Sequence, residues 1–130
     1  MQISYEKYSN EKKDARKIYN DIKPVWCVVL ADYISFNKEG FQHLIRKNGR
    51  LRPRSEQMCR FNLLVYIKDI LQSPDTKFIH QESPLNGSAA DFWKCSEIIN
   101  GQRITIVICQ RKNGAKHFLS IYAKKRKSAP

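Results

Sequence analysis

The sequence predicts an α+β protein, with N-terminal helices packed on one face of an antiparallel four-stranded β-meander. Three observations lead there. Helix caps and helical spacing of apolar residues dominate the chain up to about residue 71. Beyond residue 78, β-branched and aromatic residues form short alternating runs. Asn-Gly pairs at 100–101 and 113–114 separate the last of these runs, and Asn-Gly suits a two-residue hairpin turn that needs φ > 0 at both central positions.

Taken in order, Ser9 or Asn10 is a candidate N-cap for a helix carrying Ala15, Ile18, Tyr19 and Ile22, and Pro24 ends it. The run VWCVVL (25–30) reads as a buried strand or an element packed on both sides, which YISF could extend. Asn37 caps a short helix running to about Lys47, with Glu39 in its first turn and Gly49 as its stop. After the basic loop RLRPRS, Ser55 caps a long helix over 56–71 with Cys59, Leu63, Ile67, Ile70 and Leu71 as its apolar stripe. KFIHQ is a short strand, SPLNGSAAD (83–91) a loop or lid, and about 92–99, 103–111 and 116–123 are the remaining strands.

The length of 130 residues suits one domain with one core. It divides into an N-terminal helix with its connection (1–31), a core (32–124) and a basic tail (124–130). Cys27, Cys59, Cys95 and Cys109 form no C-x-x-C pair and read as buried, reduced residues of a cytoplasmic protein. No apolar leader or membrane span is expected, and no metal or cofactor motif is present.

Charge is the unusual property. Lys and Arg number 24 against 12 acidic residues, a net charge of +12. Such a surplus on a small domain points to a polyanion, nucleic acid first. Six of the fifteen residues from 46 to 60 are basic: Arg46, Lys47, Arg50, Arg52, Arg54 and Arg60. His43 precedes them on the same helix side as Arg46 and Lys47. Those like charges should lower its pKa and make it a candidate general base. On the last strand, two-residue alternation puts Lys116, Phe118, Ser120 and Tyr122 on one face, beside Arg103 and Thr105. It puts His117, Leu119 and Ile121 on the other, toward the helices. His80 reads as structural.

The order H-x-x-R-K-x-G-R on a short helix, a basic loop, a long helix and a meander ending in KHFLSIY resembles the small metal-independent ribonucleases of the barnase–EndoU–colicin–RelE-like group, which includes phage and polymorphic-toxin domains. The resemblance covers about residues 32–124. It implies a toxin or effector that cleaves RNA, tRNA among the candidates, by driving the 2′-OH onto the adjacent phosphate. The implied catalytic residues are His43, Arg46, Arg52, Lys116, Ser120 and Tyr122. Lys47, Arg50, Arg54, Arg60, Arg103 and Lys124 would bind nucleic acid. An acidic inhibitor or antitoxin is the implied partner. No barnase-type glutamate base is evident. The competing expectations are a non-catalytic RNA- or DNA-binding module and a basic protein that docks on an acidic partner.

Overall fold

The computed structural model describes residues 4–85 and 88–125. The first helix, α1 (Tyr5–Asn20), begins earlier than Ser9 or Asn10: Ser4 is the N-cap and accepts from the Lys7 N–H at 3.2 Å. Its buried side is Tyr8, Ala15 and Tyr19, so Tyr8 extends the stripe two turns upstream of Ala15. The apolar run after Pro24 does not continue as one buried strand. β1 (Val25–Cys27) pairs with β2 (Asp32–Ile34) in a small antiparallel ribbon. Ala31 turns the chain at φ 51°, and Val28 and Val29 are exposed.

α2 (Lys38–Ile45) starts at the expected cap, where Asn37 accepts from the Gly40 N–H at 3.3 Å. It stops at Ile45 rather than Lys47. Residues beyond it form a minimal hairpin, β3 (Arg46–Lys47) and β4 (Arg50–Leu51). Asn48 and Gly49 turn it at φ 52° and 77°, so Gly49 closes a hairpin, not a helix. The expected long helix is broken. α3 (Arg54–Asn62) begins one residue before Ser55, which makes no capping bond. A 3-10 turn (Leu64–Tyr66) then leads to α4 (Ile67–Gln72). Cys59 lies on the exposed side of α3 and is not part of its apolar stripe, which is built from Met58 and Phe61. No helix among the described residues is long and apolar enough to cross a membrane.

The sheet is a four-stranded antiparallel meander in the order β5 (Phe78–Leu85), β6 (Ser88–Ile99), β7 (Gln102–Arg111), β8 (His117–Lys125). The architecture is α+β, as its turn chemistry predicts. Asn100 and Gly101 sit at φ 52° and 77° between β6 and β7. Residues 83–85 and 88–91 are strand rather than loop: Ser83 pairs with Ala90 and Pro84 with Ala89, which lengthens the first hairpin. Asn86, Gly87 and the tail residues 126–130 lie outside the described residues.

One face of the sheet carries Cys95, Ile104, Ile106, Ile108, Phe118 and Ile121, all buried against the helices. An aromatic cluster joins the layers: Tyr19 meets Phe41 and Phe118 at ring separations of 5.4 and 5.9 Å. Gly40 brings α2 directly onto β8. A Cβ there would lie 2.7 Å from the Phe118 ring and carbonyl and against the Tyr19 hydroxyl, which donates to the Asn37 carbonyl at 2.6 Å. Ser35 adds a bridge along the outer side of β8, with Phe118 N–H donating to its carbonyl at 2.8 Å.

Strict alternation along β8 fails at one place. Val107 pairs with Ser120 but Ile108 pairs with Phe118, so Leu119 is an extra residue in a bulge. Below the bulge the faces swap. Phe118 is in the core, and His117, paired with Cys109, lies on the same face as Ser120 and Tyr122.

Candidate functional site

Two side-chain networks meet where α2 and α3 flank β8. The first is centred on Glu39, in the first turn of α2. Its carboxylate accepts from both terminal nitrogens of Arg111, Nη1 at 2.7 Å, and lies 3.0 Å from Nε2 of His117. Arg111 ends β7 and His117 begins β8, so one carboxylate ties the helix to two strands. The Arg111 hydrogen bonds hold the Glu39 carboxyl below its ordinary range, against the opposing effect of burial. With Glu39 ionised, its bond to His117 needs a proton on Nε2.

The second network is centred on α3. Arg52 donates from Nε to the His43 carbonyl at 2.9 Å and from Nη1 to Glu56 at 3.0 Å. Arg60 donates to the same Glu56 oxygen at 3.2 Å, to the Ser120 hydroxyl at 3.1 Å and to the Ile121 carbonyl at 3.0 Å. Its guanidinium also lies 5.7 Å from the Tyr122 ring centre. The chain of hydrogen bonds therefore runs from the His43 backbone carbonyl, not its ring, through Arg52, Glu56 and Arg60 to Ser120. Arg60 is only 12% exposed, and its Nε has no partner among the described residues. A buried N–H without an acceptor is rare.

His43 sits between the networks, half-buried, one turn after Glu39. Burial pulls its pKa below the ordinary imidazole value. Arg52, Arg111 and Arg60 push in the same direction, and Glu39 opposes them. The imidazole is neutral near neutral pH and can accept a proton. It shares a depression of about 180 Å³ with Glu39, Arg46 and Gly49. Arg46 is exposed there, its Nη1 3.5 Å from the Gly49 carbonyl.

Of the residues singled out from sequence, the fold brings together His43, Arg46, Arg52, Arg60, Ser120 and Tyr122. Lys47 and Arg50 are exposed on the β3–β4 hairpin. Arg103 and Lys124 pair across β7 and β8 on the Tyr122 face. Arg54 is turned to α1, over the rings of Tyr5 and Tyr8 at 5.3 and 5.5 Å. Lys116 is elsewhere. Preceding the bulge, it is on the opposite face from Ser120, bonded to Asp32 at 2.9 Å and lying over Trp93 at 5.0 Å. Glu39, Arg111 and His117 are the site residues that sequence reasoning left out. His80 is exposed, paired with Asp91 at 2.7 Å and stacked on Trp93. Among the described residues no three His, Cys, Asp or Glu side chains gather into a metal-binding group.

The shifted groups set an acid profile for stability. Glu39 has a folded pKa below its ordinary 4.5, so the stability it contributes is fully present above that value and is lost as pH falls through the folded pKa. His43 has a folded pKa below its ordinary 6.5. Below 6.5 the unfolded chain therefore binds more protons at this position, and stability declines until the folded ring also protonates. Thermal melts from neutral pH into acid are expected to show a shallow decline starting near 6.5, absent in His43→Asn, and a steeper one below 4.5, reduced in Glu39→Gln. Identical profiles for the three proteins would contradict the assignment of the two groups.

Comparison with protein-family models, with curated proteins and with solved structures finds no match to this chain.

Proposed function

We propose that this protein is a metal-independent endoribonuclease of the toxin or effector kind, related to the barnase–EndoU–colicin–RelE-like group and acting on RNA in the cytoplasm. The observation that carries the reading is a half-buried imidazole of lowered pKa on a residue whose backbone carbonyl is tied, through two guanidiniums and a shared carboxylate, to a serine hydroxyl on β8. In this reading neutral His43 takes the proton of a ribose 2′-OH. The 2′-oxygen bonds to phosphorus, the bond from phosphorus to the 5′-oxygen breaks, a solvent water gives a proton to that leaving oxygen, and His43 returns its proton to the resulting hydroxide. The products are a 2′,3′-cyclic phosphate and a free 5′-hydroxyl. Arg60 and Arg52 neutralise the charge that builds on the phosphoryl oxygens. Ser120, held by Arg60, orients the phosphate. Arg46, Lys47, Arg50, Arg103 and Lys124 supply the longer electrostatic track. The same exposed cations are the surface for an acidic inhibitor protein.

The test is incubation of total RNA with the protein in EDTA, wild type beside His43→Ala. Cleavage should fall by about 10²-fold or more, the usual scale of a general acid–base contribution. RNA binding by the variant should persist and weaken steeply between about 50 and 200 mM salt, as phosphate contacts require. Equal cleavage by both proteins would exclude His43 from the chemistry. Salt-sensitive binding with no cleavage by either would leave a non-catalytic RNA- or DNA-binding module.

A further inference from the structure

A groove of about 430 Å³ runs between α3 and the end of β8, and of its lining the cleavage chemistry uses Arg60 alone. Its lining includes Arg60, Asn62, Tyr66, Gln102 and Tyr122, with Cys59 beside Arg60. The mixture is informative. Two phenol rings offer flat π-faces, and two side-chain amides offer both donors and acceptors at the rim. Tyr122 is partly buried, with the Arg60 guanidinium 5.7 Å from its ring centre. The groove opens from the same Arg60 that holds the Ser120 hydroxyl at 3.1 Å. A phosphate lying against Arg60 and Ser120 would therefore carry its own nucleoside into the groove. An aliphatic peptide side chain would gain little from that polar rim, whereas an unstacked base needs both the rings and the amides.

We infer that this groove is a nucleobase subsite, which stacks one base of a single-stranded RNA on Tyr122 and reads its edge with Asn62 and Gln102. The inference rests on the reading of Arg60 as a phosphate ligand, but base binding does not require cleavage. The groove contains its own reporter. Cys59 is exposed at its wall, while Cys27, Cys95 and Cys109 are buried, so a thiol reagent applied to the native protein should mark Cys59 first.

The experiment is the rate of Cys59 alkylation by iodoacetamide, followed by mass, with each of the four nucleoside 3′-monophosphates. Ribose 5-phosphate and inorganic phosphate serve as base-free probes. At least one nucleotide should slow the reaction saturably, and the base-free probes should not at the same concentration. Tyr122→Ala should raise the nucleotide concentration needed for half-protection by roughly tenfold or more, the scale of a lost stacking contact. Tyr122→Phe should keep it. Equal protection by ribose 5-phosphate, no protection by any nucleotide, or protection unchanged in Tyr122→Ala would each overturn the subsite. Cleavage of RNA without nucleotide protection would remove the subsite alone and leave the ribonuclease reading. Protection without cleavage would remove the ribonuclease reading and leave the subsite.

Discussion

Replacing Arg60 by alanine is expected to lower RNA cleavage by about 10²–10³-fold, the usual cost of removing one preorganised donor from developing charge. It should also lower stability by roughly 2–4 kcal/mol, since buried groups lose charge-assisted partners. The two losses have one origin. Arg60 donates to Ser120, to the Ile121 carbonyl and to Glu56 at once, and it is 12% exposed. Without it the serine has no anchor and Glu56 keeps only Arg52. Arg60→Lys restores a charge but not the planar fork, and one ammonium on a flexible stem cannot reproduce all three directions. It should recover part of the RNA affinity and little of the rate. Single-turnover cleavage in EDTA, beside urea unfolding, separates the two effects. Wild-type cleavage by Arg60→Ala would remove this guanidinium from the mechanism.

Gly40→Ala is expected to destabilise the protein by about 3 kcal/mol, at the upper end for overpacking, and to depress cleavage with it. The sign is diagnostic. In an exposed helix interior, glycine to alanine stabilises by up to about 1 kcal/mol. Here the added carbon would meet the Phe118 ring and carbonyl at 2.7 Å. A strand carbonyl cannot move aside cheaply, so α2 must back away from β8. Backing away draws Glu39 from Arg111 and His117, now joined by bonds of 2.7 and 3.0 Å. Unfolding of Gly40→Ala at or above the wild-type denaturant midpoint would mean that α2 and β8 are not in this close contact.

The fold was legible at some of the places where local chemistry decides it, but not at Asn113-Gly114, where only Asn113 has positive φ and the connection from Arg111 to His117 is longer than a two-residue turn. Asn100-Gly101 gave a hairpin turn and Asn37 gave a cap, because each needs only its own neighbours. Asn48-Gly49 carries the same turn chemistry, and its hairpin could have been found by the same rule had the helix before it not masked the signal. The bulge at Leu119 was not legible. A single extra residue leaves no mark on composition, yet it reverses the faces of Lys116, His117 and Phe118 relative to Ser120. This is why Lys116 was grouped with the serine while His117 was assigned to the core. Glu39 was visible only as an anion at a helix start. Its pairing with Arg111 and His117 spans 72 and 78 residues and depends on tertiary packing.

Those separations set a schedule for the newborn chain. His43, Arg52 and Arg60 leave the ribosome well before Ser120 and Tyr122, since Arg60 and Ser120 are 60 positions apart. At roughly 5–20 residues per second, that gap lasts several seconds. During it, α2 and α3 can form while the strand that completes the site is still being translated. No fragment that stops short of β8 contains Ser120 or Tyr122. On the ribonuclease reading proposed above, a truncated chain, or one halted during elongation, would lack the serine and tyrosine of the site and would leave the RNA around it uncut.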